Sequence, residues 1–436
     1  MTMRTRPFNR RQALKAGAGV AAAAAFVSYP IRSSAQSTTS IRMTSFASGA
    51  DLDVINQQVA SFTEANPDIE VKVETIPSDY PTKITTDLAA GTAADVFYVD
   101  SLLAPDLITR NLLMPLDDRV AAEGGTDDFL PTQLGAYQLN GQTYGLPKDW
   151  SALATWYSQD NFDSAGVTAD QITSWDSLRT SLQTLTDSTG LPGAIVVPDT
   201  ARFFAFIYEA GGSIVSPDYS QVLIGDQATR DALEFYYGLY RDGLATTPAD
   251  AGADNTGVGL SNGAASLTFE GNWNYGGYAQ NSPDFKFGVA PMPTGPNGDP
   301  GTLAFTVAYS MYAGTKSPDA AFKLLSYLTG PEAMTLSTNT LGPLPTRKSL
   351  TAGWLEKFPE RKVFADSAPY ARPWQLGPGG QLFYDDANGI LQAVFAGSTS
   401  VDDAVTQLRE AAEKDIQLQA PGTATPTTGG TATRTS

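Results

Sequence analysis

The chain has 436 residues, is 42% hydrophobic and carries a formal net charge of −18, which favours a soluble protein with two domains over one compact core. It contains no cysteine and no histidine, which excludes disulfides, thiolate metal sites and Ser-His or Cys-His catalysis. The acidic balance disfavours nucleic acid and anionic lipid as partners, although a local basic site could still hold a phosphate group.

Residues 1–35 predict an export signal. Residues 9–15, with the paired Arg10 and Arg11, resemble a twin-arginine signal, and the weakly apolar stretch 16–27 that follows is too short to span a bilayer. Small residues at 33–35 suit cleavage, so we expect the mature chain to begin near Gln36. The alternative is an amphipathic helix of a cytoplasmic protein. The segment holds six basic and no acidic residues, so its removal takes the net charge from −18 to −24.

The first elements of the mature chain alternate between strand and helix. Apolar alternation or a continuous apolar run marks the strands, and apolar spacings of three and four mark the helices. The prediction in chain order is strand 41–45, helix 52–62, strand 69–73, helix 80–90 and strand 96–99. Asn66-Pro67 ends the first helix and Gly91 ends the second.

This β-α-β-α-β order predicts a parallel sheet with right-handed crossovers. Ligands in such sheets lie outside the carboxyl ends of the strands. Those ends are Ser45 with Phe46, residues 77–78, and Asp100. The topology therefore nominates these positions for a binding site.

The later elements are predicted from the same patterns. Strands are expected at 152–156, 195–197, 266–269 and 285–289, and helices at 176–185, 231–241, from Pro318 onward and after Ser400. Ser317 and Ser400 are expected to cap the last two helices, with Asp403 completing an approximate capping box. Residues 420–436 are mostly Thr, Ala, Gly and Pro with one Arg, and we expect a disordered tail because nothing in them could bury a core.

Several short motifs occur in a familiar order: ANPDIEV at 65–71, ADVFYVD at 94–100, and YGLP at 144–147 followed by 152–160. Further segments at 266–275, 287–293, 344–348 and 401–404 continue the order. Together they resemble the extracellular solute-binding proteins of family 1, which feed ATP-binding-cassette (ABC) importers, in the branch that mostly binds sugars. The resemblance spans nearly all of residues 40–418.

The resemblance implies an α/β, two-lobed periplasmic-binding-protein fold of type II, each lobe a mostly parallel sheet flanked by helices, with the ligand cleft between them. The lobes would be discontinuous, one holding 40–149 and 305–350 and the other 150–304 and 351–418, and hinge closure would trap the ligand. The implied partners are a sugar or oligosaccharide and a membrane permease with its ATPase. The resemblance also implies a monomer that has no catalytic activity, no cofactor and no metal site. Relatives are often lipid-anchored through a cysteine that this chain lacks.

Sugar chemistry and the resemblance together nominate the ligand contacts. Aromatic rings stack on the flat faces of sugars, while carboxylates, amides and Arg bind the hydroxyls. Trp273 is the first candidate as the stacking tryptophan of the second lobe. The other candidates are Asp100, Tyr384, Trp374, Arg372, Glu270, Asn272, Asp149, Trp150, Ser151, Ser45, Phe46 and Glu209. The alternatives are helix capping for Asp100 and ordinary packing for the aromatic residues.

Three other functions compete with sugar binding: iron binding, transport of another cargo, and glycoside hydrolysis. Adjacent tyrosines ligate ferric ion in some related receptors. In this chain the adjacent Tyr236 and Tyr237 stand at helical spacing with Leu233 and Tyr240, which indicates a packed helix face. The same receptor could carry a polyol, a glycerophosphodiester or a peptide; a phosphate would call for basic residues, of which the nominated regions offer Lys148 and Arg372. An exported glycosidase would need an acid pair such as Asp149 and Glu270.

Overall fold

A computed structural model describes residues 38–418; the predicted signal segment 1–35 and tail 420–436 lie outside them. The strands within this part of the chain are β1 Thr39–Ser45, β2 Ile69–Thr75, β3 Val96–Asp100, β4 Gln138–Leu139, β5 Gln142–Thr143, β6 Gly145–Ser158, β7 Ala194–Ile195, β8 Ala245–Thr246, β9 Leu267–Gly271, β10 Phe287–Ala290, β11 Thr302–Met311 and β12 Ala371–Pro373.

Helices cover the faces of the sheet. They are α1 Gly49–Ala65, α2 Tyr80–Ala90, α3 Ala104–Thr109, α4 Asp117–Ala122, α5 Pro131–Gly135, α6 Gln159–Ala165, α7 Trp175–Thr189, α8 Thr200–Glu209, α9 Gln227–Arg241, α10 Pro248–Ala251, α11 Thr256–Ser261, α12 Asn274–Asn281, α13 Pro318–Leu328, α14 Pro331–Leu341, α15 Lys348–Lys357, α16 Lys362–Ser367, α17 Gly380–Phe395 and α18 Val401–Asp415. Within residues 38–418 none of them is long and apolar enough to cross a membrane.

The main sheet runs through the whole described structure in the order β2-β1-β3-β11-β6-β9-β7-β8. Its ends are parallel: β1 pairs with β2 and β3, and β7 pairs with β8 and β9. The two long central strands, β6 and β11, are antiparallel to each other and to their neighbours β9 and β3. Because β6 and β11 pass from one half of the sheet to the other, they tie the two halves together.

Two large cores lie on either side of these crossing strands. One is built from residues between 41 and 146 and between 308 and 334. The other draws mainly on residues 153–292 and 374–416. A smaller third core packs around Trp156, which is fully buried. This gives the two-lobed α/β architecture that the motif order implied.

The first five elements follow the sequence prediction closely. Ile55, Val59 and Phe62 form the buried stripe of α1, and Gly91 ends α2 with φ of +73°, a left-handed conformation that glycine adopts without steric cost. The four apolar residues at the start of β3 are no more than 1% exposed. The predicted parallel β-α-β-α-β unit is therefore confirmed.

Besides shifts of a few residues at several element ends, such as β10, which begins at Phe287 where 285 was predicted, three details of the later elements differ from the prediction. The strand predicted at 195–197 ends at Ile195, because the backbone N–H and C=O of Val197 bond the hydroxyl of Tyr236. The strand predicted at 152–156 is the middle of the longer β6, which is paired on both sides. Ser317 precedes α13 but makes no side-chain cap hydrogen bond, whereas Ser400 accepts from the N–H of Asp403 as predicted.

Candidate functional site

A cavity of about 500 Å³ opens where the ends of several strands meet, and its volume is in the usual range for small-molecule sites. The residues that line it are Phe46, Ser48, Ala50, Asp51, Asp100, Lys148, Asp149, Ser151, Trp273, Gly276, Gly277, Gln280, Phe305, Thr306, Val307, Leu341 and Pro343. They come from both sides of the crossing strands. The cavity therefore has the position expected of a cleft between two lobes.

The sheet topology explains why these residues meet. Phe46 and Asp100 stand at the carboxyl ends of the parallel strands β1 and β3, where the rule for open α/β sheets places ligands. Asp149 and Phe305 lie on the crossing strands β6 and β11, which form the floor. Trp273 follows β9 and stands at the start of α12. Five separate elements thus converge on one cavity.

Trp273 is the largest aromatic side chain in the lining. Its indole Nε1–H donates to Glu270 at 2.9 Å, and its ring meets Phe305 edge-on with centroids 5.4 Å apart. Phe46 brings a second ring from the first lobe, packed at 5.3 and 5.2 Å from Tyr80 and Tyr98. The cavity consequently offers apolar ring surfaces on both of its sides.

Three carboxylates face the same space. Asp100 is half-buried and accepts from the Leu102 N–H at 2.9 Å; burial raises its pKa to about 6, against the effect of that hydrogen bond. Asp51, in the first turn of α1, also lines the cavity. The third, Asp149, is 8% exposed and forms an ion pair with Lys148.

The Lys148–Asp149 pair is buried as a unit. Burial raises the pKa of Asp149, which Lys148 opposes. Burial also disfavours the charged ammonium of Lys148, but the Asp149 and Asp51 carboxylates outweigh it and raise the Lys148 pKa. Lys148 lies 4.9 Å from the ring centre of Tyr98 as well. The one basic side chain that the described cavity contains is therefore already neutralised by a neighbour.

Of the thirteen candidates from the sequence, the structure brings five to the cavity: Phe46, Asp100, Asp149, Ser151 and Trp273. Ser45, Trp150, Asn272 and Glu270 are neighbours of these residues in sequence but are buried beneath the surface. Ser45 accepts from the Ala47 N–H, and Asn272 donates to the Gly342 carbonyl at 3.2 Å. These four support the walls and do not line the space.

The remaining four candidates lie elsewhere. Trp374 is 5% exposed and packs between Phe305 and Tyr384, with ring centres 5.6 Å from each. Tyr384 donates to Asp199 at 3.3 Å, and burial raises its pKa to about 12. Arg372 is exposed beside a separate surface pocket of about 90 Å³. Glu209 is fully buried.

Several lining residues were not predicted. Asp51 stands in the first turn after β1, so the strand-end rule could have found it by extending one loop further. Phe305 and Thr306 lie on β11, whose role as a crossing strand has no local signal. Gln280, Leu341 and Pro343 reach the cavity through helix packing.

The tyrosine pair on α9 has the surroundings of a packed helix face. Tyr236 is 1% exposed and donates to the Val197 carbonyl at 2.9 Å. Both rings contact Phe395, with centroid separations of 6.0 and 5.4 Å. These contacts account for the two residues without a ligand.

The buried Glu209 makes the stability of the protein depend on pH in a way that can be tested. It accepts from Trp175 Nε1 at 2.6 Å, its other oxygen has no partner, and burial raises its pKa well above the usual range. The folded state therefore keeps a proton that the unfolded chain releases near pH 4.3, so this group's contribution to stability falls as pH rises above that value, by up to about 1.4 kcal/mol per pH unit. Urea unfolding of wild type and Glu209→Gln between pH 4 and 7 should show the variant gaining on wild type as pH rises. A constant difference between the two would contradict a protonated Glu209.

Residues 44–335 match the model of the bacterial extracellular solute-binding protein family. The match covers more than half of the chain, and the chain belongs to this family.

Individual relatives agree with that assignment. A binding protein of Brucella abortus is 27% identical over 363 residues, which are 81% of this chain and 87% of the relative. The arabinooligosaccharide-binding protein of Bacillus subtilis is 24% identical over 246 residues, 54% of this chain and 56% of the relative.

Solved structures share the fold. An ABC substrate-binding protein of Listeria monocytogenes in complex with cycloalternan has a TM-score of 0.80 and 23% identity, covering 86% of this chain and 98% of that one. A Mycobacterium tuberculosis protein in complex with glycerophosphocholine has a TM-score of 0.77 and 20% identity, covering 86% and 98%.

Proposed function

We propose that this protein is the sugar or oligosaccharide receptor of an ABC importer. The observation that carries the proposal is the lining of the 500 Å³ cavity, where the rings of Trp273, Phe46 and Phe305 stand beside the carboxylates of Asp51 and Asp100. Rings take up the flat faces of a sugar, and carboxylates accept from its hydroxyls. A hydroxyl left unpaired on closure is costly, which makes such a site selective.

The family and the fold support a proposed working cycle. Closure of the two lobes would bury the sugar, and a ligand that favours the closed form would shift the population towards it. A membrane permease with its ATPase would then take the sugar from the closed receptor. In this role the protein is an exported monomer that performs no catalysis, and the twin-arginine signal supplies its export.

A glycerophosphodiester is the second candidate, because one structural neighbour holds glycerophosphocholine. A phosphate group needs a convergent cation, and Lys148 is engaged by Asp149. The carboxylates in the lining would also repel a phosphate. A glycosidase finds less support still, since both oxygens of Glu270 are occupied by protein donors.

A ligand screen tests the proposal. Thermal unfolding is followed with neutral oligosaccharides of glucose, mannose and arabinose, with polyols and peptides, and with glycerophosphocholine. A ligand at 100 times its dissociation constant adds about 2.7 kcal/mol to the unfolding free energy, so we expect a clear rise in Tm with one group of neutral sugars. A rise with glycerophosphocholine and with no sugar would assign the receptor to the second candidate.

A further inference from the structure

A buried carboxylate directly behind the cavity collects an unusual number of donors. Glu270 is 3% exposed and accepts from Arg202 through Nε at 3.2 Å and through Nη2 at 2.9 Å to each oxygen. It also accepts from the Thr256 hydroxyl and from the Gly271 N–H at 3.3 Å. The remaining donor is the indole of Trp273, at 2.9 Å. Five groups thus fix the position of this one side chain.

The Trp273 ring is held from several directions by the same cluster. Its Nε1–H is bound to Glu270, while the Arg202 guanidinium lies 5.3 Å from the ring centre. The ring also lies against the backbone of Gly271, where any Cβ would overlap it, and Phe305 meets it edge-on. A glycine at position 271 is therefore required by the ring.

We propose that Arg202 and Glu270 are positioning residues that fix the orientation of the Trp273 indole at the cavity wall, so that a stacking surface exists before any ligand arrives. The inference rests on the proposed function for its consequence, because a fixed ring matters to a sugar that stacks on it. The fixing itself is a property of the ligand-free protein and is tested without a ligand.

The physical reason is the cost of ordering a side chain during binding. A ring that must be immobilised by the ligand weakens binding, and a ring that the protein has already immobilised does not. A buried ion pair gains little for stability over an apolar pair of the same shape, because of its desolvation cost. The placement of Arg202 and Glu270 against the indole gives the pair a role in the site that stability alone does not.

Nuclear magnetic resonance of the indole N–H groups tests the proposal. The chain has six tryptophans, so six indole signals are expected, and Trp273→Phe identifies the one from Trp273. In wild type this signal should be shifted by its carboxylate acceptor and protected from hydrogen exchange. In Glu270→Gln, which replaces the anion with a neutral amide, we expect the shift to move and the protection to fall about tenfold. The signals of the other tryptophans should change little, except that of Trp156, whose indole donates to the backbone carbonyl of Glu270 at 2.8 Å.

A matched control exists in the first lobe. Asp128 accepts from Arg347 at 3.1 Å, and Arg347 lies 4.4 Å from the ring centre of Phe129, so the pair repeats the carboxylate–guanidinium–ring arrangement away from the residues that line the cavity. Asp128→Asn should leave the Trp273 signal unchanged. If Glu270→Gln does not fold, Thr256→Val and Arg202→Lys replace it, because each changes a donor to Glu270, and both should shift the Trp273 signal.

The outcomes separate the two proposals. A Trp273 signal that keeps its position and protection in a folded Glu270→Gln, or in both replacement variants, overturns the positioning role whatever the cargo is. A signal that moves as expected supports positioning, even if no sugar raises the Tm of wild type; in that case the proposed cargo fails and the fixed ring remains.

Discussion

Replacing Lys148 with methionine is expected to lower the free energy of unfolding by about 3–5 kcal/mol, because the change leaves Asp149 buried and without its counter-ion. Both side chains of the pair are about nine-tenths buried, with 10% and 11% exposed, so water can replace the lost partner only in part. Urea unfolding at neutral pH measures the difference.

Two controls separate this cause from lost packing. Lys148→Met combined with Asp149→Leu removes both charges and should recover much of the lost stability. Lys83→Met breaks an exposed pair with Asp87 one helical turn away, and should change stability by about 0.5 kcal/mol or less. A Lys148→Met variant no less stable than Lys83→Met would contradict the account of a buried pair.

Replacing Trp273 with alanine is expected to weaken the binding of a stacking sugar by about 2–3 kcal/mol, or about 30- to 150-fold, since the ring supplies both buried apolar area and a stacking face. Trp273→Phe keeps a ring but loses the donor to Glu270 and should lose less. Titration calorimetry with the neutral oligosaccharide that raises Tm most in the screen gives both values.

The matched control for Trp273→Phe is Trp354→Phe, at a buried tryptophan that does not line the cavity. It should bind as wild type does. If wild type and Trp273→Ala bound the oligosaccharide with equal affinity, the Trp273 ring would not be a ligand contact.

The parallel part of the fold could be predicted because each of its signals is local. The apolar stripe of α1, the break at Asn66 and Pro67 and the glycine that ends α2 all lie within a few residues of the feature they specify. The lengths of β6 and β11 depend instead on pairing with distant strands. No window of the sequence contains that information, and the mixed centre of the sheet was not anticipated.

The residues of the candidate site also differ in whether local sequence signals could identify them. Asp100 and Phe46 could be found from the rule that ligands lie at strand ends, and both line the cavity. Glu270 and Asn272 carry suitable chemistry three and one residues before Trp273, but their side chains turn inward to Arg202 and to the Gly342 carbonyl. Which way a loop side chain points depends on tertiary partners, and the sequence pattern does not encode it.

Titration calorimetry of the wild-type protein with neutral oligosaccharides of glucose, mannose and arabinose tests the central claim most directly. The account predicts that one of these groups binds with a stoichiometry of about one to one, with heat lost or strongly reduced in Trp273→Ala. Binding of glycerophosphocholine alone, or sugar binding that is unaltered in Trp273→Ala, would contradict it.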